Sequence, residues 1–259
     1  MDYKWGFMLA EQRLENIMQI IKNQGFAEVD KLAGKLKVSE MTIRRDLQKL
    51  SEMGLITRNH GGASLLSSAQ VENDYALKKS QNQENKKKIA AKALSYIHNN
   101  DAVYLDGGTT TFEIASQLHR FKNLTVVTND IVIAAELAKA DVEIIMVGGR
   151  IQKKTKTIIG QYAIDFIKQF HVTSVFLGTS SINQNFDVFS PTIGKAVLKK
   201  AVLGIAEQSF LVADASKFYG YSLNRFGNLS DFTGVITNME FSDGERKKIS
   251  DLKINMITL

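Results

Sequence analysis

Two groups of residues in this chain have types and spacings that could do chemistry. The first lies in the stretch VSEMTIRRDLQKL, where Ser39, Thr42, Arg44, Arg45, Gln48 and Lys49 fall on the side of a short helix away from Ile43, Leu47 and Leu50. Arginine presents a planar fork that pairs with guanine edges or with two phosphate oxygens, so adjacent arginines near the start of such a helix suit a duplex groove. Arg58 and His60 follow on a stretch expected to track the sugar-phosphate backbone. The second group ends a series of apolar runs: Asp106-Gly107-Gly108-Thr109-Thr110-Thr111, Thr128-Asn129, Gly148-Gly149-Arg150, Gly178-Thr179-Ser180 and Asp214-Ala215-Ser216-Lys217. Glycines allow close backbone approach, and threonine hydroxyls, free amides and one or two cations offer a small anion its donors.

Several other chemistries find no support. There is no cysteine, and His60, His98, His119 and His171 are scattered rather than set at helical ligand spacings, so no metal and no redox role is expected. No G-x-G-x-x-G fingerprint and no phosphate-loop lysine follows the first strand, so a nucleotide cofactor is not expected either. No window is apolar enough to cross a bilayer, and no basic segment leading into an apolar core opens the chain, which is therefore expected in the cytoplasm, away from membranes. The opening MDYKWGF is given no structural role.

The net charge of +6 is unevenly placed. Residues 31–58 carry seven Lys or Arg against three acids, and residues 78–88 carry five lysines against Glu84. Positive charge is thus concentrated in the first third of the 259 residues, which points to a polyanionic partner.

The elements that would position these groups follow from periodicity. Apolar spacing predicts helices over residues 9–23 and 27–36 and a third from Ser39, a good N-cap, to Gly54, with Gly25 ending the first. LITRNHGGASLL reads as a two-stranded wing turning at Gly61-Gly62. Three helices and a wing make a winged helix-turn-helix over residues 9–66, whose last helix enters the major groove of double-stranded operator DNA. One such module makes few base contacts, so a dimer or tetramer is expected. Residues 67–84 read as a linker. Over residues 85–259 strands such as AVYLD, TVVTN, VEIIMVGG, VTSVFLG, SFLVAD, TGVITN and KINMITL alternate with amphipathic helices, which predicts a mostly parallel, Rossmann-like α/β domain. Loops at the carboxyl ends of parallel strands converge on one crevice.

RLENIMQIIKNQG and VDKLAGKLKVSEMTIRRDLQKLSEMGLITRNHGGA closely resemble the DNA-binding domain of the DeoR family of bacterial transcriptional regulators. DGGTTT, LTVVTND, VGGR, the strand ending FLG, and LVADASKF resemble that family's second domain, so the likeness runs from Arg13 to about Asn238. It implies a fold similar to sugar-phosphate isomerases that binds a phosphorylated sugar or sugar alcohol without converting it, in a pocket lined by Asp106, Thr109, Thr110, Asn129, Gly149 and Lys217. It further implies a repressor of a carbohydrate-metabolism operon, released from its operator by that effector. An activator, or a sugar-phosphate isomerase or deaminase using Asp106 as base, are the alternatives. One departure bears on the effector: Lys195-Ala196 stands where many relatives have Glu-Ala.

Overall fold

The computed structural model describes residues 9–24, 26–53, 55–59, 61–65 and 74–259. The chain divides into two compact units, residues 1–68 and 69–259. Gly25, Gly54, His60, the opening MDYKWGF and residues 67–73 of the expected linker lie outside the described residues.

In the first unit α1 (Ala10–Gln24) leads to a short strand, β1 (Phe26–Glu28), then α2 (Val29–Leu36) and α3 (Glu40–Glu52). Two strands follow, β2 (Ile56–Asn59) and β3 (Gly62–Leu65), which pair antiparallel with Asn59 opposite Gly62. Gly61 has φ 88°, and Gly62 already belongs to the strand. β1 also pairs with β3, so the wing is three-stranded and the second helix starts two residues later than its apolar spacing suggests. Ile17, Ile21, Leu32, Ile43, Leu47, Leu50 and Ile56 form the core, which fixes which side of α3 faces outward.

The second unit begins with α4 (Tyr75–Ser80) and α5 (Gln83–Ala93), so residues 74–84, expected as linker, are largely helical here. β4 (Ala102–Leu105), α6 (Thr109–Ala115), β5 (Thr125–Thr128), α7 (Ile131–Leu137) and β6 (Glu143–Met146) follow. A hairpin of β7 (Arg150–Gln152) and β8 (Thr157–Ile159) comes next, then α8 (Gln161–Ile167) and β9 (Val172–Leu177). β10 (Ser181–Ile182), β11 (Asp187–Ser190), α9 (Ile193–Leu203), β12 (Ala206–Val212), β13 (Asn224–Asn228), β14 (Gly234–Thr237), α10 (Asp243–Asp251) and β15 (Met256–Thr258) complete the chain.

Seven strands form one all-parallel sheet in the order β15-β14-β12-β9-β4-β5-β6, while β10, β11 and β13 form a small antiparallel sheet beside it. Successive strand residues bury on opposite faces. Val103, Leu105, Val126, Phe176 and Ile236 face α5, α6 and α7, whereas Tyr104, Val127, Val175, Leu177 and Val235 face α8 and α9. From β4 the chain winds outward one way to β6, then returns to β9 beside β4 and winds the other way. The winding direction changes between β4 and β9, where such sheets open a crevice at the strand carboxyl ends.

Candidate functional site

On α3, Ser39 caps the helix by accepting the Thr42 N–H at 3.2 Å, and the two hydroxyls lie 3.0 Å apart. Arg44, Arg45, Gln48 and Lys49 are exposed, so the outward face carries the cations the spacing requires. Arg44 reaches Glu40 at 3.3 Å and Gln48 reaches Glu52 at 2.8 Å, exposed contacts that a stronger anionic partner can displace. Asp46 does not share that face. It is buried and holds Arg13 of α1 through two hydrogen bonds, Nε at 2.5 Å and Nη2 at 3.2 Å, so it does not neutralise the outward arginines. The carboxylate in turn holds the Arg13 guanidinium above its ordinary pKa. Arg58 lies in β2.

At the winding reversal of the second unit, Asp106 ends the β4 run and is buried. One of its carboxylate oxygens accepts the Gly178 N–H at 3.0 Å and also the ammonium of buried Lys199, which donates a further hydrogen bond to the Gly178 carbonyl at 2.8 Å. The centre of the crevice is thus occupied by an internal ion pair. Asn129 is likewise engaged: its side-chain oxygen accepts from Tyr104 Oη and the Gly107 N–H, both at 3.0 Å, and its amide donates to the Ile158 carbonyl at 3.1 Å. It ties β4, the glycine loop and β8 together.

What stays open lies to one side of that pair. The first N–H groups of α6, from Gly108 through Thr111, point away from any acceptor within the helix. Thr109 and Thr110 are largely buried beside them, and Thr111 Oγ1 donates back to the Gly108 carbonyl at 2.9 Å. A Cβ on Gly107 would meet Thr157 Cγ2 at 2.1 Å, so only glycine fits there. Lys217 follows the β12 end, and burial holds its ammonium below the ordinary lysine pKa despite nearby Asp214. No hydrogen-bond acceptor for it is found among the described residues. Gly149 has φ 149° and packs against Ile158 and Ile159, which makes it a close-packing position, while Gly148 and Arg150 are exposed at the start of the hairpin. Lys195 is buried on α9, where its charge favours ionised Asp130.

Sequence reasoning missed Lys86. This buried side chain on α5 donates to the Lys78 carbonyl and, at 2.7 Å, to the Gln81 carbonyl. Desolvation first and the Lys217 charge second lower its pKa to about 8. A second missed group is Asn82, whose amide reaches Asp214 Oδ1 at 3.0 Å and Ser216 Oγ at 3.1 Å, joining the segment between α4 and α5 to the loop that carries Lys217. Two cations are held below their ordinary pKa although Asp214 acts on both and Glu113 on Lys86, and such a pair is a place where an anion is electrostatically favoured. Among the described residues no cluster of three or more potential metal ligands occurs, and no helix is long and apolar enough to cross a membrane.

The two units match two family models in chain order: residues 13–69 match the DeoR-like helix-turn-helix domain, and residues 81–239 match the DeoR C terminal sensor domain. The chain belongs to the DeoR family of transcriptional regulators. Among its relatives in that family is the HTH-type transcriptional regulator FruR of Bacillus subtilis, 33% identical over 90% of this chain and 93% of that one. Another is the glycerol-3-phosphate regulon repressor of Escherichia coli, 34% identical over 89% of this chain and 92% of that one. A ribose 5-phosphate isomerase from Plasmodium falciparum superposes with a TM-score of 0.38 at 18% identity, over 51% of this chain and 52% of that one, too distant a likeness to bear on chemistry. As in its DeoR-family relatives, a DNA-binding module precedes a sensor, so the chain is a regulator rather than an enzyme.

Proposed function

We propose that the chain represses a carbohydrate-metabolism operon by binding double-stranded operator DNA through α3, and that a phosphorylated sugar or sugar alcohol captured in the second unit releases it. The observation that carries the sensing half is the pair Lys86 and Lys217, cations with depressed pKa of which Lys217 acts on Lys86, on an α5 that packs against α6. A phosphate at that place restores charge balance to both lysines and accepts from the free amides. The name of the Escherichia coli relative supports a small polyol phosphate.

The DNA-binding half is supported by the exposed row Arg44, Arg45, Gln48 and Lys49 on a helix whose opposite side is core. Release requires that the effector bind one arrangement of the chain better than another, since a ligand shifts an equilibrium only by its differential affinity. Pairing of subunits provides two such modules for repeated half-sites, so the active species is a homo-oligomer. Thermal-shift measurements against inorganic phosphate and the monophosphates of glycerol, pentoses and hexoses test the sensing half, because a ligand specific for the native state raises the melting temperature. Arg44→Ala and Arg45→Ala each weaken operator binding by about 1–3 kcal/mol with an unchanged melting temperature. A gel shift with wild-type affinity in both variants removes α3 as the reading helix.

A further inference from the structure

Among the described residues, buried side-chain atoms without a hydrogen-bond partner are Tyr75 Oη and Asp130 Oδ2, together with Ser174 Oγ, Ser190 Oγ, Thr192 Oγ1 and Asp214 Oδ2. The first two belong together, because Asp130 acts on the Tyr75 phenol and its Oδ2 lies against Gly107. Asp130 is fully buried. Its Oδ1 caps α7 by accepting the Val132 and Ile133 N–H groups at 2.7 and 3.2 Å, which leaves Oδ2 turned towards Gly107, where a Cβ would lie 3.3 Å from it. Burial pushes this carboxyl up to about 6, with Lys195 opposing, so it is ionised at neutral pH. Tyr75 opens α4 and is 5% exposed. Its N–H donates to the Lys154 carbonyl at 3.1 Å, and Lys156 Nζ sits 5.4 Å from its ring centre, so the hairpin holds the ring in place. α4 also packs on α6, with Lys79 Nζ 4.5 Å from the Phe112 ring centre. Burial and the charges of Asp130 and Glu113 push the phenol up, which keeps it a neutral donor.

Native interiors seldom leave such atoms without partners. We propose that Tyr75 and Asp130 form a hydroxyl-reading subsite for the carbon chain of the phosphorylated effector, and this rests on the sensing role assigned above. One hydroxyl of the ligand donates to Asp130 Oδ2, and Tyr75 Oη donates to the oxygen of the same or the adjacent hydroxyl. The phosphate lies with Lys86 and Lys217. A carboxylate at the far end rejects a second anionic group, so the subsite selects the monophosphate of a neutral polyol or sugar over a bisphosphate or a phosphorylated sugar acid. Tyr75 belongs to the first described helix of the second unit, and Lys86 anchors that helix through the Lys78 carbonyl. Ligand capture therefore acts directly on the helix that follows the DNA-binding unit in the chain.

The test is calorimetry on the full chain with inorganic phosphate, glycerol 3-phosphate, ribitol 5-phosphate, fructose 1-phosphate and fructose 1,6-bisphosphate. Tyr75→Phe keeps the ring and Asp130→Asn keeps the cap oxygen, and circular dichroism verifies that both variants fold. The expected result is that at least one monophosphate binds the wild-type chain more tightly than inorganic phosphate or the bisphosphate. Each variant then loses about tenfold on that monophosphate, the worth of one hydrogen bond, and binds inorganic phosphate as before. Unchanged monophosphate affinity in both variants overturns the subsite and leaves the two atoms to a buried water. Equal losses on inorganic phosphate, or tighter binding of the bisphosphate, overturn it as well. If the wild-type chain binds none of the five, the sensing role fails together with the subsite. The control Lys217→Ala separates the two levels, since it weakens inorganic phosphate and monophosphate alike.

Discussion

Replacing Asp46 by alanine is expected to abolish DNA binding although Asp46 faces away from DNA. The side chains of Arg13 and Asp46 are 10% and 7% exposed, so removal of the carboxylate takes its paired negative charge from a buried guanidinium. Breaking a buried pair from one side costs roughly 3–5 kcal/mol. A single core below ~70–80 residues seldom supplies more than about 3–5 kcal/mol in total. The first unit, residues 1–68, is of that size, so the substitution removes most or all of its stability. A gel shift with a random-sequence duplex at low salt reads the loss without knowledge of the operator, because nonspecific affinity needs only the folded cationic face. Circular dichroism melts place the loss in the first unit, and glycerol 3-phosphate affinity reports an intact second unit. The double variant Arg13→Met, Asp46→Leu exchanges the pair for apolar side chains, which is commonly neutral or stabilising, and restores DNA binding. Wild-type melting and wild-type DNA affinity in Asp46→Ala would refute the reasoning.

Phosphate affinity should fall as pH rises through about 8, because Lys86 loses its proton there and Lys217, also held below its ordinary value, adds to the fall. An anion raises both pKa values, so the affinity below that window is the full one; Lys86→Arg, charged throughout, flattens the profile in calorimetry between pH 7 and 9.5. Gly107→Ala drives its new methyl into Thr157 Cγ2 and is expected to destabilise the second unit by about 1–3 kcal/mol in urea unfolding. Thr157→Ser removes that methyl and should recover part of the loss; a double variant no better than Gly107→Ala would place the strain elsewhere.

Long periodic elements were legible in the sequence. The stripe Ile43, Leu47, Leu50 and the alternation of apolar runs with helices carry their own address, since burial on one face or two imposes a period. Short elements were not. β1 is three residues whose only reason for being a strand is its partner β3, and the β7–β8 hairpin runs through Lys153-Lys154-Thr155-Lys156, where nothing apolar marks it. Gly62 falls in the strand because either glycine could supply the positive φ of the turn, and strand register decided for Gly61. The site was legible as loops and less so as partners. The sequence marks Asp106 and Asn129 as candidate ligand contacts, and the structure adds that one Asp106 oxygen and the Asn129 side chain also bond the protein's own groups. One signal could have found Lys86 and Asp46. Lys86 shares a helix face with Ile89, Ala90 and Ala93, and Asp46 lies three residues from Ile43 and four from Leu50. A charge at an apolar position of a helix is a charge that has, or awaits, a buried partner.

The ion pair between Asp106 and Lys199 separates detection from turnover. A carboxylate already claimed by an ammonium is a weaker acceptor for a carbon-bound proton, so an effector captured as proposed above is expected to keep its carbonyl and its stereochemistry. On the sensing role proposed above, a captured molecule leaves as it came, and occupancy follows the ligand's concentration instead of depleting it.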